Sequence, residues 1–141
     1  MDRPELEQRT ARFASEVFRL CTVVRCKPGG DKAADQLQRA SSAVAANYRA
    51  SARSRSSKEF LAKIGVVNEE ADEAVFWLEY IRDTKLDNTA QLLRLCVEAK
   101  ELRAIFAASY RTARENIARR QRRDRHYQGV IFRSPDHQIT R

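Results

Sequence analysis

Apolar residues recur three and four positions apart along most of this chain, the period of one helix face. Phe13, Val17, Leu20 and Val24, with Phe18 and Cys21 beside them, form the first such stripe. It is preceded by Asp2-x-x-Glu5, a capping-box pattern in which each side chain satisfies a backbone N–H at a helix start, and Pro4 is tolerated in that first turn. Together these predict a helix from about residue 3 to 26, ended by Lys27-Pro28-Gly29-Gly30. Asp31 is the candidate N-cap of a second helix, whose stripe of small residues runs Leu37, Ala40, Val44, Asn47, Ser51 and fades near Arg53. Ser54, Ser56 and Ser57 then compete for backbone hydrogen bonds. Ser56-x-x-Glu59 is a second capping box and opens the strongest pattern in the chain: Phe60, Ile64, Val67, Ala71, Ala74, Leu78, Ile81. Asp87 or Asn88 is expected to cap a long fourth helix carrying Leu92, Leu95, Ala99, Leu102, Phe106, Ser109, Ala113 and Asn116, with Cys96 alongside.

Four amphipathic helices joined by short connectors must lie antiparallel to their chain neighbours, because a few residues cannot cross the length of a helix. The expected fold is therefore all-α, an antiparallel up-and-down four-helix bundle over residues 1–123 with a short basic C-terminal extension, 124–141. With 4 Gly and 3 Pro in 141 residues, composition agrees with helix and with one core. The last turns of helix four should outrun the core, since the apolar stripe ends before the arginines do. From about Asp124 the tail is expected to leave the helix, partly ordered or docked. Val130-Ile131-Phe132 is compatible with a short strand, a groove-docked segment or disorder. No apolar run approaches the roughly 20 residues of a membrane span. The start, Met1-Asp2-Arg3-Pro4, carries no basic-then-apolar leader, so a cytoplasmic location is expected.

The formal net charge is +8, and between Arg111 and Arg141 nine arginines face three acids. An anionic partner is implied by that imbalance. Two clusters are candidates for binding nucleic acid. Arg49, Arg53, Arg55 and Lys58 surround the turn between helices two and three, with Lys63 one turn onward. A solvated helix end is the competing reading, because arginines near a helix C-terminus complement its dipole; Lys58, at a helix start, gains nothing from it. The second cluster, Arg119, Arg120, Arg122, Arg123 and Arg125, encircles a helix instead of lining one face, and Tyr127 could stack on a base. Here the competing reading is a solubilising tail.

The sequence offers no catalytic constellation. Cys21, Cys26 and Cys96 are odd in number, lack metal-site spacing and read as reduced, the first and last as small hydrophobes. The only histidines, His126 and His137, fall in the tail, so neither a nucleophile's base nor a Glu-x-x-His metal motif is available within the bundle. No phosphate-cradling glycine pattern occurs. The expectation is a protein that is not an enzyme and holds no metal or cofactor. Glu69, Glu70, Asp72 and Glu73 are expected to pair with bases such as Arg39 or Lys63, or with a neighbouring subunit. Phe76, Trp77 and Tyr80 widen the apolar face of helix three, and with Glu70 and Glu73 form the candidate oligomer interface, against the alternative of ordinary core packing.

The run Gln36-Leu37-Gln38-Arg39-Ala40-Ser41-Ser42-Ala43-Val44-Ala45-Ala46-Asn47, followed by Arg53-Ser54-Arg55-Ser56-Ser57-Lys58-Glu59-Phe60 and the acidic stretch from Glu70 to Glu79, resembles the bacterial four-helix bundle proteins first noticed as products of intervening sequences within 23S ribosomal RNA genes. The likeness covers roughly residues 6 to 118. Where that family commonly reads I-A-E-G, this chain has Tyr48-Arg49-Ala50-Ser51, losing an acid and gaining an arginine. The resemblance implies a homo-oligomer, a pentameric ring, with no established biochemical activity. It also implies kinship with accessory proteins of diversity-generating retroelements, which engage a reverse transcriptase and RNA or single-stranded DNA.

Overall fold

The computed structural model describes residues 1–131, which form four helices and, among the described residues, no strand: α1 (Arg3–Arg25), α2 (Asp31–Ser51), α3 (Ser57–Asp83) and α4 (Ala90–Ile131). Phe132, Arg133, Ser134-Pro135, His137 and Arg141 lie outside that range, so the expectations placed on them are not described. The helices pack in chain order, α1 on α2, α2 on α3 and α3 on α4, with a thinner α1–α4 seam closing the square. This is the antiparallel four-helix bundle that the stripes predict.

Local chemistry starts and stops each helix close to the predicted places. The Asp2 carboxylate accepts from Glu5 N–H and Glu5 accepts from Asp2 N–H, completing the first capping box. After α1 the chain turns through Gly29, whose φ of +80° is left-handed, and Gly30, where a Cβ would lie 2.0 Å from the Val24 carbonyl oxygen. Gly30, not Asp31, occupies the cap of α2, and Asp31 is its first residue. At α3 the Ser56 hydroxyl accepts from Glu59 N–H, but the Glu59 carboxylate accepts from Arg55 N–H instead of closing the box on Ser56. At α4 the helix-capping oxygen belongs to Thr89, whose hydroxyl accepts from Leu92 N–H; Asp87 accepts from the backbone and hydroxyl of Thr89, and so orients the cap without being it.

The core is built where the stripes lie. Val17, Val24, Leu37, Val44, Ile64, Leu78, Ile81, Leu92, Leu95, Leu102 and Phe106 are all at most 1 % exposed. Burying each such side chain contributes roughly 1.5–3 kcal/mol against chain entropy. Phe18, by contrast, is exposed, and Asn47 is only half-buried, because the α2 stripe turns to put Tyr48 inside. Cys21 and Cys96 lie in the core, where burial pushes the Cys21 thiol up to about 11.

The tail differs from its expectation. Residues 124 to 131 continue α4 as helix, Val130 and Ile131 included, and their side chains are exposed, so within the described residues they neither form a strand nor dock. Once a helix is nucleated, each added residue gains a backbone hydrogen bond for one further residue fixed, and arginine and glutamine favour helix without needing a buried face.

Candidate nucleic-acid interface

The up-and-down topology places the N-terminus of α1, the end of α2, the start of α3 and the distal half of α4 at one end of the bundle. α2 closes there with Ser51 buried, its hydroxyl donating to the Tyr48 carbonyl, and the connecting turn presents Arg53 and Arg55 to solvent. α4 passes alongside and continues beyond. At the level of the first turn of α3, the Arg120 guanidinium donates to the Ser57 hydroxyl at 2.8 Å. Residues 121–131 then project past the end, roughly 16 Å at the α-helical rise.

This packing joins the two basic clusters that are some sixty residues apart in sequence. Arg49, Arg53, Arg55 and Lys63 line a shallow depression of about 390 Å³ together with one acid, Glu59. Arg3, Arg55 and Arg120 line the next, of about 470 Å³, together with serines of the α2–α3 turn. Arg119, Arg120, Arg122 and Arg123 line a third, of about 560 Å³. Arg55 is shared by the first two and Arg120 by the last two, so the surface is one continuous basic track. Lys58 and Arg125 are exposed but line none of the three. Lys63 is half-buried.

Arg3 belongs to this surface although its sequence context marks it only as part of a helix start. Its guanidinium donates to the Tyr48 carbonyl and the Ser51 hydroxyl, pairs with Glu7 at 3.1 Å, and lies 4.6 Å from the centre of the Tyr48 ring. Tyr48 packs in turn on Phe106 at 5.2 Å between ring centres. The signal available was Tyr48 itself, four residues after Val44 on the buried face of α2, at the level where α1 begins.

Three of the four acids from Glu69 to Glu73 are paired within the chain. Arg39 bridges Glu70 at 3.2 Å and Glu73 at 2.5 Å, and the hydrogen bond from Arg39, assisted by one from the Trp77 indole, holds the Glu73 carboxyl below its ordinary value. Asp72 pairs with Arg103, while Glu69 is exposed. Next to the Arg39 pair, Phe76, Trp77 and Tyr80 form a ring cluster with centres 4.9, 5.3 and 6.2 Å apart. Phe76 is 56 % exposed and Tyr80 41 %, while Trp77 rests partly on the core. The five candidate interface residues therefore make one patch on α3, toward the end of the bundle away from the arginines.

A comparison with curated proteins finds no match. Among solved structures, the chain is similar to a crystal structure from Bacteroides thetaiotaomicron, a protein of unknown function from the S23 ribosomal protein family. The two share 19 % identity over 79 % of this chain and 99 % of that one, with a TM-score of 0.72, a likeness of fold. The model of the 23S rRNA-intervening sequence protein family matches residues 4–108, ending before the basic part of α4 begins. Because that match spans most of the chain, the chain belongs to the 23S rRNA-intervening sequence protein family.

Proposed function

We propose that this protein is a non-enzymatic, oligomeric, cytoplasmic bundle that holds RNA, or another nucleic acid, along its basic end. The observation that carries the reading is the convergence of Arg49, Arg53 and Arg55 with Arg119, Arg120, Arg122 and Arg123 on one track, tied together by Arg120 on Ser57. A phosphate backbone laid along such a track releases counterions, and the arginine forks donate paired hydrogen bonds to phosphate oxygens. Lys58, Arg125 and Tyr127 stand exposed around the track and on the projecting helix, the tyrosine available for stacking.

Electrophoretic shift of RNA across a salt series tests this. The apparent association constant should fall steeply and linearly on logarithmic axes, with a slope reporting the number of phosphates engaged. No shift at low salt, or a shift indifferent to salt, would refute nucleic-acid binding.

A second reading, a protein-interaction scaffold such as an accessory to a reverse transcriptase, is favoured by the exposed rings of Phe76 and Tyr80 beside Trp77. We assign that patch first to contact between copies of this chain, the pentameric ring of the family resemblance. A ring would repeat the basic track around its axis.

A further inference from the structure

The middle depression of the basic track differs from its neighbours in how it is built. Its about 470 Å³ lie between the first turn of α1, the α2–α3 turn and α4. Arginines from chain positions 3, 55 and 120 meet there, and among the described residues no aspartate or glutamate lines it. Elsewhere on the bundle the arginines that cross between helices are met by acids: Arg9 by Glu98 and Glu101, Arg25 by Asp35, Arg39 by Glu70 and Glu73, Arg103 by Asp72. Three like charges around one concave space repel unless an anion sits among them.

The three cations are held to different degrees. Arg3 is a fixed charge, oriented by Tyr48 and Ser51, with Glu7 offsetting it from outside the pocket lining. Arg120 is tethered at one guanidinium nitrogen to Ser57. The Arg55 side chain is 92 % exposed, and its Nε stands 3.9 Å from the Glu59 carboxylate, beyond hydrogen-bond distance, so the guanidinium is able to fold over an occupant. Hydroxyl donors are present too. The Ser56 oxygen accepts from Glu59 N–H and the Ser57 oxygen from Arg120, which leaves each hydroxyl hydrogen to donate; Ser54 has spent its own on the Ser51 carbonyl.

We propose that this pocket binds a single phosphate group, the point at which a nucleic-acid strand is fixed in register on the track. The inference rests on the RNA-binding reading for its source of phosphate. Arg3 and Arg120 would supply charge and fork geometry, Ser56 and Ser57 the hydroxyl donors, and Arg55 the closing contact. The volume exceeds that of one phosphate and accommodates the attached sugar, so the group is either an internal phosphodiester or a strand's terminal phosphate.

Titration of the full-length protein with inorganic phosphate at constant ionic strength, followed by NMR, should give saturable shifts confined to Arg3, Arg55 to Ser57 and Arg120. Arg120→Gln should weaken that binding about tenfold, whereas Lys32→Gln, which removes the same charge at the opposite end of the bundle, should leave it unchanged. Oligoribonucleotides with a 5′-phosphate or a 5′-hydroxyl then separate the sources. A terminal-phosphate site binds the first more tightly and Arg120→Gln erases the difference; a phosphodiester site binds both alike and Arg120→Gln weakens both by the same factor. Shifts that do not saturate, or equal loss in Arg120→Gln and Lys32→Gln, would overturn the pocket even where RNA still binds. Saturable phosphate binding without RNA binding would keep the pocket and refute the nucleic-acid reading instead.

Discussion

Asp87 is the one acidic side chain buried among the described residues, 3 % exposed at the junction of α3 and α4. Burial alone would raise its pKa, but hydrogen bonds from the Thr89 hydroxyl and backbone, with Lys27 at 3.4 Å, outweigh burial and hold the carboxyl below its ordinary value. A folded-state pKa below the unfolded one means the stabilisation is complete above the unfolded value, near 4, and is lost as pH falls through the folded one. Glu73, lowered by Arg39, acts in the same direction with less weight because its pair is solvent-screened. Asp87→Ala should cost about 2 kcal/mol in urea unfolding at neutral pH, and Asp87→Asn should make the loss of stability below about pH 4 shallower. At the opposite connection of the same bundle end, Gly30 has an ordinary backbone angle but no space for a side chain. Gly30→Ala should therefore destabilise by about 3 kcal/mol, through displacement of the Val24 carbonyl, despite alanine's better helix propensity.

α4 shows at the scale of one element what periodicity can and cannot report. Through Phe106 its side chains meet a core, and the three-four spacing made both helix and buried face legible in advance. Past Phe106 the contact thins to half-buried positions such as Tyr110 and Ala113, and from Arg119 on every described residue is exposed, so Arg119 to Arg125 surround the helix and Gly129 follows, a pattern that reads as the end of order. Helix persists because propensity and an already nucleated end suffice. The cap of α4 was obscured for another reason. Asp87, Asn88 and Thr89 all carry cap-forming side chains, and only the hydrogen bonds within the turn show Asp87 consumed by Thr89. Likewise the two basic clusters were each visible, but their meeting depends on which level of α3 the long helix passes. Truncation to residues 1–118 removes the projecting arginines without opening the core. Its thermal midpoint should stay within about 3 °C of the full chain, while the salt slope of RNA binding becomes clearly shallower. An unchanged slope would assign the phosphate contacts to the α2–α3 turn alone.

At the scale of the whole molecule the bundle is polar in its surface chemistry, with arginines in excess over acids at one end and exposed rings on α3 toward the other. Phe76 is the position that separates assembly from folding: it is more than half exposed, whereas Trp77 rests on the core and donates to Glu73, so a change at Trp77 would disturb both. Reversing Glu70 or Glu73 has the same ambiguity, since it breaks the Arg39 bridge inside the chain. Phe76→Asp should leave the thermal midpoint nearly unchanged, because little buried area is lost, yet reduce the mass seen by light scattering toward the 16.2 kDa of one chain. A ring of copies offers one RNA strand several basic tracks, and engaging the second is an intramolecular step with a high effective concentration. The same substitution, which touches no basic residue, should therefore also weaken RNA binding and flatten its salt dependence. Loss of mass with RNA affinity intact would show that a single bundle end is the complete binding unit, and an unchanged mass would move the contact between copies away from this face of α3.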